Sequence, residues 1–158
     1  MQQQRSRPAC PTSIAVNEVT NKTYVANYGK VCLISNTCIN AGSVTVIDGA
    51  TNSATELQLP QPNLPHPVRV AVNANTNKIY VASQFSSDVI VIDGTTDATA
   101  PINDSKASDP IAIAVNATTN KIYVANFGNI GKNGADVGSI TVIDGATNSA
   151  TNIVDPNA

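Results

Sequence analysis

Tryptophan is absent, and aromatic residues of any kind make up 4% of the 158 residues. Four Tyr and two Phe are too few for the stacking platform that a single-stranded nucleic acid needs. Charge is scarce as well, with 13% charged residues and a formal net charge of −2. The nine Lys and Arg are scattered, and the longest basic feature is Arg5 to Arg7. That leaves no positive footprint for nucleic acid or an anionic lipid surface. No apolar run reaches the ~18 residues of a membrane-spanning helix. The opening MQQQRSRPACPTS has no apolar core of a secretory signal. The expectation is therefore a cytoplasmic chain, or one cut from a longer precursor. A single His and three scattered Cys offer no zinc set, and no CxxC, HExxH, GxSxG or P-loop occurs. No metal and no cofactor are expected.

What is present is one phrase said three times. It reads PTSIAVNEVTNKTYVAN from Pro11, PVRVAVNANTNKIYVAS from Pro67 and PIAIAVNATTNKIYVAN from Pro110. A second phrase follows each copy after a variable gap: SVTVIDGATNSAT from Ser43, DVIVIDGTTDAT from Asp88 and SITVIDGATNSAT from Ser139. A period of about 40 to 50 residues means supersecondary units that bury their apolar faces only by stacking.

Each unit reads as four short strands, rich in Val, Ile, Thr and Tyr and bounded by Asn, Asp, Gly and Pro. The first is expected at 14–17, 68–73 and 111–116, and the second at 23–27, 79–83 and 122–126. The third is expected at 43–48, 88–93 and 139–144, and a weaker fourth at 54–59, 98–102 and 150–154. No helical period of useful length is visible. In the first turn, Asn21, Asn77 and Asn120 are expected in the left-handed conformation, which Asn tolerates. In the second turn, Asp48, Asp93 and Asp144 are expected to accept backbone N–H groups, while the following Gly supplies free dihedrals. The first strand alternates in size. Ile14/Val16, Val70/Val72 and Ile113/Val115 point one way; Ser13/Ala15, Arg69/Ala71 and Ala112/Ala114 point the other. Large and small faces on successive units can interlock, as in four-stranded blades packed around an axis.

The segments Tyr24-Val25-Ala26-Asn27, Tyr80-Val81-Ala82-Ser83 and Tyr123-Val124-Ala125-Asn126, each with its later Val-Ile-Asp, resemble the YVTN family of β-propeller repeats. The resemblance covers residues 11–158. It implies an all-β fold of three four-stranded antiparallel blades, with the first strand innermost and the fourth on the rim. The expected division is a tail at 1–10 and blades at 11–65, 66–109 and 110–158. Such propellers are often exported or on the cell surface, and they include both binding proteins and enzymes. The motif belongs to the scaffold, so it brings no catalytic residue to this chain. Propellers have about four to eight blades, so three make an incomplete ring unless assembled. The outer faces of the first and third blades are expected to be bare and to invite association. Two copies closing a six-bladed ring, a partner supplying blades, or a fragment of a longer protein would each account for this. The abrupt start and end point to the fragment.

Blade topology puts the variable loops on one face. The long loops are 28–42, with Lys30, Cys32 and Cys38, and 127–138, with Lys132 and Asp136; 60–66 adds PQPNLPH. Insertions gathered on one face of a rigid scaffold are either a binding surface or tolerated drift. His66, the single histidine, is expected near that mouth, with Arg69 two residues beyond Pro67. Together they could bind an anion, or His66 could be a solvated loop residue and Arg69 a partner for channel carbonyls. Cys32 and Cys38 could close a short disulfide loop in an oxidising compartment or stand as free thiols. The Asp-Gly-x-Thr-Asn turn does not match a calcium-binding loop. The functional expectation is a non-enzymatic module for protein or glycan binding, or for structural assembly. The alternative is part of a lactonase- or lyase-like propeller enzyme. The single His and two glutamates, Glu18 and Glu56, weigh against the enzyme.

Overall fold

A computed structural model describes residues 10–29, 41–60, 65–84, 88–102, 108–128 and 138–154. They form twelve strands in three four-stranded antiparallel sheets, and no helix occurs among them. The first sheet has β1 (Pro11–Asn17), β2 (Lys22–Asn27), β3 (Ser43–Asp48) and β4 (Ala54–Gln58) in that spatial order. The second has β5 (His66–Asn73), β6 (Lys78–Gln84), β7 (Asp88–Asp93) and β8 (Thr99–Ile102). The third has β9 (Pro110–Asn116), β10 (Lys121–Asn126), β11 (Ser139–Asp144) and β12 (Ala150–Val154). The expected strands are all there. The first strand of each sheet starts earlier than expected, at or beside a proline. Proline fits the first residue of a strand, and a register shift follows it in β1 and β5.

The sheets stack face to face, with β5 against β1 and β9 against β5. Pleating decides which residues meet. Ala15, Tyr24, Ala26, Val44, Val46 and Leu57 of the first sheet meet Val70, Val72, Ile79, Val81, Ile90 and Ile92 of the second. The second sheet then repeats the move: its Tyr80, Val89, Val91 and Ile102 meet Ile113, Val115, Ile122, Val124 and Ile143 of the third. At both junctions the face that carries the tyrosine receives a face of β-branched residues. Tyr24, Tyr80, Ile79, Ile92, Ile122 and Ile143 are fully buried in these two layers.

The turns at one edge lock the stack. Asn21, Asn77 and Asn120 have φ of 51°, 51° and 52°, as expected. Their carbonyls accept the N–H of Gly49 (2.8 Å), Gly94 (2.8 Å) and Gly145 (2.9 Å) across the sheet. The glycines act differently from the sequence expectation. The left-handed residues of the second turn are Asn52, Asp97 and Asn148, at φ 57–59°, and the positive-φ glycines among the described residues are Gly29 and Gly128. Gly49, Gly94 and Gly145 are needed for close approach instead, because a Cβ on each would overlap the side chain of the facing asparagine. The aspartates do cap the turn. Asp93 Oδ1 accepts from the N–H of Thr95 (2.8 Å) and Thr96 (3.0 Å), and Asp48 and Asp144 do the same one sheet before and after.

The same asparagines bridge the sheets. Asn17 Nδ2 donates to Asn77 Oδ1, and Asn73 Nδ2 to Asn120 Oδ1, both at 2.8 Å. Beside them, Lys22 Nζ donates to the Gly94 carbonyl (3.1 Å) and Lys78 Nζ to that of Gly145 (2.6 Å).

Gly94→Ala should lower stability by about 1–3 kcal/mol, because the methyl group has backbone and side chain of Asn77 in its way. Asn73→Ala should cost a similar ~1–3 kcal/mol, since it leaves buried groups unpaired. Both are read as a lower urea midpoint at unchanged slope.

Hydrogen bonds from the turn N–H groups, led by Thr51 and Thr95, hold the Asp48 and Asp93 carboxyls below their usual 3.8. Lys121, followed by the N–H groups of Ala146 and Thr147, brings Asp144 down to about 2. A carboxyl lower in the folded state stabilises above the unfolded value, and that stabilisation disappears as pH falls through the folded value. The urea midpoint should therefore fall between about pH 4 and pH 2, and Asp144→Asn should make that fall shallower.

Candidate functional site

The antiparallel order sends the two asparagine and aspartate turns of every sheet to one edge and the remaining connections to the other. At that second edge backbone bonds extend the first and third sheets beyond their strands, and one reaches from the first sheet to the segment before the second. Tyr28 N–H donates to the Cys10 carbonyl (2.9 Å) and Gly42 N–H to that of Pro65 (2.7 Å). Phe127 N–H donates to the Asp109 carbonyl (3.0 Å). Gly42 has no room for a Cβ between the Asn27 carbonyl and the Pro67 ring.

His66 opens β5 and is buried, at 6% exposure. Its N–H donates to Ser83 Oγ (2.8 Å), and its ring Nδ1 lies 3.0 Å from the Tyr28 carbonyl. The Tyr28 and His66 rings sit 5.0 Å apart at a tilt of 43°. His66 thus clamps the end of the first sheet to the start of the second. Arg69 is exposed on β5, and its Nη1 donates to the Val68 carbonyl (2.7 Å). The remaining candidates, Lys30, Lys132 and Asp136, and the cysteines Cys32 and Cys38, lie outside the described residues.

Three residues that were not singled out in the sequence join this rim. Tyr28 is half-buried, and burial followed by the negative charge of Asp109 pushes its phenol above the usual 10.0. Gln84 Nε2 donates to Asp109 Oδ2 (3.4 Å). Asp109 itself takes φ of 57°, and its Oδ1 is buried with no hydrogen-bond partner among the described residues. A signal for this group does exist in the repeat. Cys10, His66 and Asp109 each stand immediately before a proline at the start of a first strand. The repeat brings a thiol, an imidazole and a carboxylate to equivalent positions, one per sheet. Among the described residues no three His, Cys, Asp or Glu gather as a metal would require.

No protein-family model matches the sequence, and neither does any curated protein. Solved structures do resemble the chain. A nidogen/laminin complex chain superposes with a TM-score of 0.67 at 12% identity, over 94% of this chain and 49% of that one. The hydrazine synthase of Kuenenia stuttgartiensis gives 0.70 at 20% identity, over 99% and 39%. The WD40 repeats of RRP9 give 0.67 at 11% identity, over 96% and 40%. The chain spans less than half the length of each of these chains. At such identities the likeness concerns the fold alone, and the fold it shows is that of β-propeller blades.

Proposed function

We propose that this chain is a YVTN-type propeller module, with blades at 11–65, 66–109 and 110–158, that binds a protein or glycan through its variable-loop face. The observation that carries the reading is the division of labour between the two edges. The turn edge repeats its asparagine, aspartate and glycine bonds from sheet to sheet. The opposite edge differs from sheet to sheet and holds His66, Tyr28 and Asp109, with Arg69 exposed further along β5. A rigid scaffold with divergent loops on one side is how recognition surfaces are built. Lys30, Lys132 and Asp136 belong to loops of that same edge by chain order and would add charge to it. The nidogen neighbour, a propeller protein solved with laminin, supports a protein ligand by analogy of fold. The propeller's uncovered outer faces would be met by further blades.

The rim favours binding over catalysis. His66 is 6% exposed and its Nδ1 meets the Tyr28 carbonyl, so the single imidazole joins two sheets and is largely screened from solvent. A glycan array probed with labelled protein tests the reading. Arg69→Ala should lose at least tenfold in signal, whereas Thr95→Ala on the turn edge should bind as wild type. Equal binding by both variants would remove the loop face as the site. Turnover of a γ-lactone by the wild-type protein would replace the reading with the enzymatic one.

A further inference from the structure

The three sheets use one docking interface, made twice within the chain and left open at both ends. Its donor side is the outward face of the third sheet. There Ala114, Asn116, Lys121, Tyr123 and Ala125 stand where the second sheet uses Ala71, Asn73, Lys78, Tyr80 and Ala82. Tyr80 is fully buried, while Tyr123 is 42% exposed, with Ile140 (46%) and Ile153 (54%) beside it. The acceptor side is the outward face of the first sheet. Ile14 and Val16 stand there where the second sheet uses Val70 and Val72, and they are 66% and 56% exposed.

The polar groups of the interface are open in the same pattern. Asn17 and Asn73 are fully buried and donate to the left-handed asparagine of the next sheet. Asn116 is exposed, and its side chain caps its own turn, with Oδ1 accepting from Thr118 and Thr119 (both 3.1 Å). Asn21, the counterpart of Asn77 and Asn120, is exposed in the first sheet. Lys22 and Lys78 reach the glycine carbonyl of the next sheet, but Lys121 turns back to Asp144 of its own sheet, 2.5 Å away. Among the described residues, the groups without a sheet-to-sheet partner are therefore Asn116 and Lys121 at one end, and Asn21 and the Gly49 carbonyl at the other.

We propose that these two ends are halves of one interface, and that a second copy of this chain supplies each missing half, closing a six-bladed ring head to tail. The proposal rests on the reading that further blades cover these faces, and it names their source. Two copies of three blades make six, within the range of about four to eight blades in closed propellers. The pairing is heterologous: the third sheet of one copy meets the first sheet of the other, twice. A back-to-back pairing of third sheets would set Lys121 against Lys121 and leave both asparagines without the acceptor that Asn77 and Asn120 provide. It would also oppose tyrosine to tyrosine where the internal junctions oppose tyrosine to β-branched residues.

Light scattering of the wild-type chain should give about twice its 16.3 kDa. Tyr123→Arg and Ile14→Arg, placed on opposite faces, should each be monomeric alone. Mixed, they should form a dimer, because one junction then joins two unaltered faces. Ile153→Lys and Val16→Lys repeat the experiment should either first variant lose its β circular dichroism. A folded wild-type monomer would overturn the second copy as the source of blades while leaving blade coverage standing. A dimer that survives either variant alone would show a back-to-back contact, and would overturn blade coverage as well.

Discussion

The left-handed asparagine of the first turn is the constraint on which the stack depends. Asn77 makes the case. Its φ of 51° turns the chain between β5 and β6. Its carbonyl holds the N–H of Gly94 and so ties the two turns of its own sheet. Its Oδ1 receives Asn17 of the sheet before, and its Nδ2 donates to Thr95 Oγ1 at 3.1 Å. One side chain thereby fixes a turn, a sheet edge and a sheet-to-sheet register. The glycine that faces it is obligatory because the asparagine occupies the space a Cβ would need.

Polar and apolar layers divide the work between them. The apolar layers supply most of the driving force, since burying an Ile or Val side chain is worth roughly 1.5–3 kcal/mol. They are poor at choosing one alignment, because apolar attraction is non-directional. Hydrogen bonds from buried Asn17 and Asn73 to half-buried asparagines carry geometry, and a missed one leaves a buried donor unpaired. The chain repeats one such bond at both internal junctions, beside the lysine bond to the glycine carbonyl, so each sheet is placed against the next in the same way. With the turn edge so constrained, variation has room only at the other edge, where His66, Tyr28 and Asp109 differ from sheet to sheet.

Much of this was legible in the sequence. The alternation of Val70/Val72 against Arg69/Ala71 gave the faces of β5, and Asn-x-x-Thr-Asn-Lys gave the left-handed turn. The free-dihedral role expected for Gly49, Gly94 and Gly145 was wrong. Their N–H groups and missing Cβ atoms serve the asparagine across the sheet, and a turn sequence does not show what lies across from it. At the rim, Arg69 is exposed as a channel-side residue can be, but His66 is buried against Tyr28, a residue 38 positions away. Asp109 escaped notice because its role depends on Gln84 and Tyr28, which only folding brings near.

The sequence by itself determined the strands, their pleat and their number, because strand propensity, period-two alternation and turn chemistry are local properties written three times. Only the tertiary structure decided which groups meet across the junctions. Asn17 lies 60 residues from Asn77, and Asn73 lies 47 from Asn120. Neither pairing follows from spacing, because the loops between the units differ in length. It follows from stacking, which brings the end of each first strand over the first turn of the next sheet. The same stacking shows that Lys121 folds back on Asp144 where Lys22 and Lys78 reach forward, a difference that identical Asn-Lys sequences cannot reveal.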